Sequence, residues 1–222
     1  MIFNIYYLLL LSLIIGAYRC EIKDIIGARR KITDCYKVLI GYKPSIVKIP
    51  IIIDFKVTPH LLICGLSGQG KSKMVESAFN DKKVVLLNAF KDDFKTLKVL
   101  RRINDPDKII YFLNNIIKSY KEEPIYIIID ELLTLDKKVI KAITEVLAVG
   151  RHYNVFLICI AQRGEKTELP FKNLFNARVT FRQIEESTYR TILGYSPEER
   201  QLQKREFYYI THEIGRGKTF TV

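Results

Sequence analysis

The sequence has 222 residues, of which 48% are apolar and 27% are charged, so it can form a globular core without disulfide support. Its 11 glycines and 7 prolines are too few for a disordered or collagen-like chain. An excess of 36 Lys and Arg over 24 Asp and Glu gives a net charge of +12, which favours a polyanionic partner such as nucleic acid or an anionic membrane surface. The four cysteines form no CxxC pair and have no histidine at zinc spacing, which predicts reduced thiols and no structural metal.

The N-terminal segment predicts a membrane anchor. Residues 1–18 carry no charged side chain, and at about 1.5 Å per residue a helix of this length just covers a thin hydrocarbon core. Positive residues follow from Arg19 onward, so the positive-inside tendency places the remainder on the cytoplasmic side of a single-pass membrane protein. We expect a juxtamembrane connector over residues 19–46 and one domain over residues 47–222. Because the apolar segment is short and contains Asn4, a buried first helix of the domain is an alternative.

Downstream, strand-like and helix-like patterns alternate. The strand-like segments are apolar at every position, as strands buried on both faces must be, and they span Leu61–Cys64, Val84–Leu87, Ile125–Ile129 and residues 155–160. Between them, one helical pattern starts at Asp105 and Pro106 and extends its apolar face to Tyr120, and another runs from Asp136 to Gly150. This alternation predicts a three-layer α/β domain with a mostly parallel sheet and helices on both faces.

The first chemical motif follows the predicted strand Leu61–Cys64. Residues 65–72 read GLSGQGKS and satisfy GxxxxGK[ST], directly between a strand and a helix-like stretch. In such a loop the backbone N–H groups point at phosphate oxygens, Lys71 reaches the β and γ phosphates, and the Ser72 hydroxyl binds Mg²⁺. We therefore predict an ATP site, while an ordinary strand-to-helix turn is the alternative. The predicted contacts are Gly65, Leu66, Ser67, Gly68, Gln69, Gly70, Lys71 and Ser72.

The second motif is an acidic pair at the end of the strand Ile125–Ile129. Burying Asp130 and Glu131 without a cation or hydrogen-bond partners would be costly, and a metal site removes that cost. We expect Asp130 to belong to the Mg²⁺ shell, through a water, and Glu131 to polarise the water that attacks the γ phosphate. A solvated pair of carboxylates at a strand end is the alternative.

A third polar position ends the strand over residues 155–160. Gln162 follows Ala161 at the sheet edge where ligands of open α/β sheets bind, which makes it a candidate sensor of the γ phosphate. A plain turn residue is the alternative.

Together these motifs resemble the FtsK/SpoIIIE-type DNA translocases within the HerA/FtsK class of ring ATPases. The resemblance covers roughly residues 55–195 in chain order. It rests on the stretch from Pro59 to Gly65, on Asp130-Glu131-Leu132, on Gly150-Arg151 with the strand ending at Ala161-Gln162-Arg163, and on residues 177–182 and 187–194. It implies a RecA-like core, ATP hydrolysis, assembly into a hexameric ring, and movement of double-stranded DNA through that ring.

By position, Arg151 resembles the arginine that such rings offer to the γ phosphate of the neighbouring subunit. A cation there stabilises the charge that develops in the transition state. A surface arginine after a helix is the alternative, and Arg178 and Arg182 are further candidates for the same role or for subunit contacts.

Two basic groups are candidates for sequence-independent contacts with DNA phosphates, and solvated surfaces explain both equally well. The first is predicted on one helix-like stretch and comprises Lys91, Lys95, Lys98, Arg101 and Arg102; the second comprises Lys204, Arg205, Arg216 and Lys218.

The compact domain and short anchor favour a membrane-anchored motor of a virus or mobile element that moves or packages double-stranded DNA. Two alternatives stay open: an ATPase for the assembly or export of filamentous virus particles, and a nucleotide-dependent membrane adaptor that does not hydrolyse ATP.

Overall fold

A computed structural model describes residues 34–162, 170–198 and 201–220. The strands are β1 (Lys37–Tyr42), β2 (Pro50–Asp54), β3 (Leu61–Cys64), β4 (Val84–Leu87), β5 (Val99–Ile103), β6 (Ile125–Ile129), β7 (Val155–Ala161), β8 (Ala177–Thr180), β9 (Glu206–Ile210) and β10 (Ile214–Lys218). The α-helices are α1 (Lys71–Phe79), α2 (Pro106–Ile116), α3 (Lys137–Val149) and α4 (Glu186–Leu193). Short 3₁₀ turns span Leu132–Thr134, Gly150–Tyr153 and Lys172–Leu174.

The predicted membrane anchor, residues 1–18, lies outside the described residues. None of the helices within the described ranges has the length and hydrophobicity required to cross a bilayer.

All ten described strands form one sheet in the order β2-β1-β10-β9-β8-β3-β7-β6-β4-β5. The six strands from β8 to β5 are parallel to one another, whereas β9, β10, β1 and β2 continue the sheet with antiparallel pairing. The predicted mostly parallel sheet is therefore confirmed, and the sequence patterns did not reveal its antiparallel extension.

Side chains of the central strands alternate between two apolar cores. From β3, Leu62 and Cys64 point into a core formed with α2, α3 and α4, while Leu61 and Ile63 point into a second core that contains α1. Both faces of these strands are buried, which explains why their sequences are apolar at every position. The thiols of Cys64 and Cys159 are free and buried, so they pack as small hydrophobic groups.

The helix boundaries follow capping signals. Asp105 accepts the N–H of Lys108 at 3.0 Å to cap α2, and Asp136 accepts the N–H of Val139 at 2.9 Å to cap α3. Helix α2 ends at Ile116, so the predicted continuation of its face to Tyr120 is wrong. Instead, the Tyr120 hydroxyl accepts a hydrogen bond from Asn154 Nδ2 at 2.8 Å, which ties this loop to the start of β7.

Strand β1 lies within residues 19–46, which the sequence predicted as a connector. It pairs with β2 over its full length and meets β10 at Tyr42, and its residues Val38 and Ile40 are buried. Within the described residues, the sheet therefore begins at Lys37. The strand is short and surrounded by basic residues, so its sequence shows no strong periodic pattern.

The first basic group does not lie on one helical stretch. Residues 91–97 form turns, and Arg101 and Arg102 lie on β5, the edge strand. Arg102 donates to the carbonyl oxygens of Phe90 at 2.6 Å and Asp93 at 3.0 Å, so its guanidinium holds the preceding loop. Pairing with β4 makes residues 99–103 a strand, and this long-range contact cannot be recognised from the local sequence.

A buried histidine joins β3 to β7 at the amino ends of these strands. His60 is 1% exposed and adopts φ 65°, and its Nδ1 accepts the N–H of Leu157 at 3.0 Å. Burial lowers the pKa of His60 to about 4, and the nearby charge of Arg151 acts in the same direction. The imidazole is therefore neutral in the folded protein at neutral pH.

We expect acidification to destabilise the fold through His60. As the pH falls, His60 becomes protonated near pH 6.5 in the unfolded chain but only near pH 4 in the folded chain. The free energy of unfolding therefore decreases between these two pH values. The loss reaches about 3 kcal/mol at its lower end. Urea unfolding from pH 7.5 to pH 4 measures it.

A His60→Asn variant is the control, because Asn tolerates positive φ and its amide oxygen can accept the same N–H. The stability gap between the two proteins should shrink as the pH falls. Asp130, whose pKa burial raises to about 6, contributes in the opposite direction but equally in both proteins. A gap that does not change with pH would contradict the assignment.

Candidate nucleotide-binding site

The sheet topology brings the three predicted motifs to one edge. Strand β7 lies between β3 and β6, and the register pairs Cys64 with Ala161 and Ile129 with Cys159. The chain therefore leaves all three strands at nearly the same level. A cavity of about 480 Å³ opens there, lined by Ser67, Gly68, Gly70, Lys71, Ser72, Lys73, Asp93, Asp130, Glu131, Gln162, Lys204 and Arg205.

The glycine-rich loop is anchored at the end of β3. The N–H of Gly65 donates to Ala161 O and the N–H of Leu66 donates to Arg182 O, both at 3.2 Å. Gly65 has φ 150°, and a Cβ at this position would lie 2.6 Å from Phe181 Cβ. Only glycine therefore fits where the loop passes Phe181, the residue that follows β8.

The loop delivers the start of α1 to the cavity. Gly70 is the N-cap in the left-handed conformation and provides no side-chain cap, and the first turn of α1 contains no acidic residue. The first N–H groups of a helix have no partner within the helix, and the helix dipole favours an anion next to them. This end of α1 therefore suits a phosphate group.

Lys71 folds back over its own loop. Its ammonium donates to Gly65 O at 2.6 Å and Leu66 O at 3.1 Å, which occupies two of its three N–H groups and leaves one for a phosphate oxygen. Burial lowers the pKa of Lys71, and the negative charges of Glu131 and Asp130 act in the opposite direction.

The acidic pair gives the cavity an unbalanced negative region. Asp130 is 7% exposed, and its pKa is raised to about 6 by burial and by the charges of Glu131 and Asp93. A cation would relieve this repulsion, so the environment fits Mg²⁺. The described parts of the chain contain no group of three His, Cys, Asp or Glu side chains that could hold a metal. Mg²⁺ completes its shell with waters and phosphate oxygens, so Asp130 and the Ser72 hydroxyl are a sufficient set.

Hydrogen bonds fix both the side chain of Glu131 and the backbone turn in which it lies. Its Oε1 accepts from Gln162 Nε2 at 2.7 Å, and its own backbone is left-handed at φ 47° and ψ 52°. Asn88 Nδ2 donates to Asp130 O at 3.0 Å and to Thr134 Oγ1 at 3.1 Å, which fixes the start of this turn. Gln162 therefore touches the acidic pair directly, while its predicted contact with a γ phosphate stays a prediction.

Sequence reasoning missed Asn88 and the second basic group's place in the site. Asn88 follows the buried strand β4, so the rule that singled out Gln162, a polar side chain after an apolar strand, could have found it. Lys204 and Arg205 line the cavity, whereas Arg216 pairs with Glu206 at 2.7 Å on β9 and Lys218 lies 3.8 Å from the same carboxylate. The second basic group is thus divided: two of its members line the cavity, and the other two lie beside Glu206.

The predicted arginine finger lies far from this cavity. Arg151 is exposed in the turn Gly150–Tyr153, which precedes β7, whereas Gln162 follows that strand. Seven strand residues span about 23 Å, so Arg151 cannot reach the nucleotide site of its own chain. Arg178 donates to Phe175 O at 3.3 Å and Ile192 O at 2.9 Å, so its guanidinium joins β8 to α4.

Comparison with known proteins finds related sequences and folds. No protein-family model matches the chain. The DNA translocase FtsK of Staphylococcus epidermidis is 25% identical over 240 residues, an alignment that covers 84% of this chain and 30% of the relative. The chain therefore resembles FtsK in sequence over a segment that is less than a third of the relative's length.

Solved structures with a similar fold include a conjugation coupling protein, a secretion ATPase and a genome packaging NTPase. The pCW3 conjugation coupling protein TcpA, solved with ATPγS, has a TM-score of 0.68 and 16% identity over 85% of this chain and 66% of its own. The type VII secretion ATPase EccC of Thermomonospora curvata has a TM-score of 0.67 and 19% sequence identity, over 84% of this chain and 29% of EccC. The genome packaging NTPase B204 of Sulfolobus turreted icosahedral virus 2, solved with AMPPCP, has a TM-score of 0.58 and 18% sequence identity, over 74% of this chain and 99% of B204.

The resemblance to FtsK-type ATPases is confirmed. It is seen in sequence with FtsK itself and in fold with the three solved structures.

The contact between Gly65 and Phe181 predicts a large difference between two glycine substitutions in the loop. Gly65→Ala places a methyl group against the backbone-proximal atoms of Phe181 and should lower the free energy of unfolding by about 2–4 kcal/mol. Gly68→Ala is the matched control: its φ is 74° and no atom lies within 4 Å of the added Cβ, so it should cost only about 1 kcal/mol. Urea unfolding compares them, and equal losses would contradict the steric argument.

Proposed function

We propose that this protein is an ATPase that uses hydrolysis to move double-stranded DNA. The observation that carries the proposal is the meeting of Lys71, Ser72, Asp130 and Glu131 around one cavity at the carboxyl ends of β3 and β6. Similarity to FtsK, to a conjugation coupling protein and to a genome packaging NTPase supports DNA as the substrate of the motor. The net charge of +12 fits the same partner.

In the proposed reaction the loop and the acidic pair have separate tasks. Backbone N–H groups at the start of α1 bind the phosphates, and the Lys71 ammonium neutralises charge between the β and γ groups. Glu131 accepts a proton from the attacking water, whose oxygen forms the new bond to the γ phosphorus while the bond to the β phosphate oxygen breaks. Gln162 engages Oε1 of Glu131 and so leaves Oε2 as the proton acceptor. Ser72 and, through a water, Asp130 would hold Mg²⁺, which would supply additional positive charge at the phosphates.

We further propose that the working form is a homo-oligomeric ring, taken as a hexamer from the resemblance. The exposure of Arg151, at the edge of the sheet opposite its own nucleotide cavity, supports a role at a neighbouring subunit. Such an arginine stabilises transition-state charge and makes hydrolysis depend on the neighbour's position.

We propose that residues 1–18 attach the motor to a membrane, with the ATPase domain on the cytoplasmic side, and that a virus or mobile element encodes it. The support for the anchor is the uncharged apolar segment followed by positive residues. The support for the origin is the fold similarity to the viral packaging NTPase, of which the alignment covers 99%.

A second candidate is an ATPase that moves protein rather than DNA, as in the assembly or export of filamentous virus particles. The fold shared with the secretion ATPase EccC favours it. The two candidates differ in whether DNA stimulates turnover.

We expect steady-state ATP hydrolysis that double-stranded DNA stimulates. Lys71→Ala should weaken ATP binding by about 100-fold or more, because a buried cation next to the phosphates is lost. Glu131→Gln should bind ATP normally while kcat falls by about 100-fold or more, because the amide cannot accept the proton. Hydrolysis assays with and without duplex DNA, and displacement of a triplex-forming oligonucleotide from linear duplex, measure these effects.

The outcomes separate the candidates. Turnover that ignores DNA but depends on Lys71 and Glu131 would favour the protein-moving ATPase. Full function of Glu131→Gln in the presence of bound ATP would favour the non-hydrolysing adaptor and contradict the motor.

The location of Arg151 predicts complementation between two inactive variants. Lys71→Ala and Arg151→Ala should each be nearly inactive alone, because every site lacks one group. Mixed rings should recover hydrolysis, because an Arg151→Ala subunit with intact Lys71 can receive the arginine of a Lys71→Ala neighbour. ATPase activity of mixtures at fixed total protein tests this, and activity that never exceeds that of the separate variants would contradict action across subunits.

A further inference from the structure

Arg205 belongs to the wall of the nucleotide cavity, far in sequence from the glycine-rich loop. It precedes β9 and lines the cavity beside Gly70 and Lys71. Its Cγ lies 3.3 Å, and its Cα 3.6 Å, from the position that a Cβ on Gly70 would occupy. The side chain therefore starts directly against the end of the loop, at the N-cap of α1.

Backbone hydrogen bonds fix Arg205 in this place. Its N–H donates to Gln69 O at 2.9 Å, and its carbonyl accepts the N–H of Thr219 at 3.0 Å, so the residue is held between the loop and the segment after β10. Within the described part of the chain, its guanidinium has no side-chain hydrogen bond or ion pair. The backbone of Arg205 is thus fixed, while its guanidinium remains available to bind a ligand.

The conformation of Arg205 also points to a role for its side chain. Its φ is 72°, a left-handed conformation that glycine adopts without strain and arginine does not. A residue under such strain at a cavity wall is a candidate for function. Nothing in the packing of the described residues requires an arginine at this position.

We propose that the Arg205 guanidinium binds the α and β phosphates of the nucleotide in its own subunit. This inference rests on the proposed nucleotide function. In loops of this type the backbone N–H groups hold the α and β phosphates, and the γ phosphate lies toward the lysine and the acidic pair. Arg205 abuts Gly70, which belongs to the first region, whereas Asp130, Glu131 and Gln162 mark the second.

A guanidinium on the diphosphate has a specific energetic consequence. ADP and ATP share these phosphates, so Arg205 stabilises both complexes to a similar extent, and its contact is already made in bound ATP. Such uniform binding lowers Kd and KM and leaves kcat unchanged. A group acting at the γ phosphate would instead distinguish ATP from ADP and change kcat.

The test compares binding of ADP and ATPγS, each with Mg²⁺, to the full chain carrying Arg205→Ala. We expect Kd for both nucleotides to rise by about 10-fold to 100-fold, the range of a charged hydrogen-bonded contact. The ratio of the two Kd values should change by less than about 2-fold, and kcat at saturating ATP should be unchanged. Calorimetric titration and steady-state hydrolysis give these values.

Two further substitutions separate a folding defect from lost binding. Arg205→Gly should unfold at the same or a higher temperature than the parent, because the left-handed strain is relieved, and still lose affinity for both nucleotides. Arg205→Lys should lose less nucleotide affinity than Arg205→Ala or Arg205→Gly, because the positive charge remains although the planar guanidinium is lost. Arg190→Ala, which removes an exposed arginine from α4, should leave both affinities unchanged.

The proposal is overturned if Arg205→Ala binds ADP as the parent does, or if only the ATPγS affinity and kcat fall, which would place the guanidinium at the γ phosphate. Lys71→Ala distinguishes this failure from failure of the nucleotide function. If Lys71→Ala loses both nucleotides while Arg205→Ala loses neither, only the assignment of Arg205 is wrong. If neither variant loses affinity, the proposed nucleotide site itself is wrong.

Discussion

The site depends on the parallel register of β3, β7 and β6. The glycine-rich loop and the acidic pair follow strands that are not neighbours, so the intervening β7 sets both their separation and their height at the sheet edge. The same strand contributes Gln162, which contacts Glu131 from between the two motifs. A shift of β7 by one residue would also turn its alternating side chains into the wrong core, so packing on both faces protects the geometry of the site.

Charge within the cavity is organised around this geometry. Lys71 faces Asp130 and Glu131, with Asp93 nearby, so the negative charge exceeds what one ammonium can balance on that side. Lys204 and Arg205 line the same cavity. The cavity therefore combines carboxylates, which suit magnesium, with cations, which suit phosphate.

Much of the site could be predicted from short sequence patterns, because each pattern encodes a local structure. A glycine-rich turn and an acidic pair after apolar strands report the backbone path and the chemistry together. By contrast, Arg205 reaches the loop through the pairing of distant strands, and β1 enters the sheet through contacts with β2 and β10. Such long-range pairing leaves no periodic signal, which also explains why the helical pattern expected for residues 91–102 was wrong.

The pairing of β1 with β10 joins chain segments that are about as far apart in sequence as the described residues allow. Tyr42 lies opposite Lys218, so the antiparallel half of the sheet cannot close until the last strand has been synthesised. Until then, the hairpin of β1 and β2 has one edge without its partner strand. High contact order of this kind slows folding and exposes strand edges during synthesis. The described sheet is therefore completed late, after translation of β10, and termination of the chain before β10 would leave that hairpin open to aggregation.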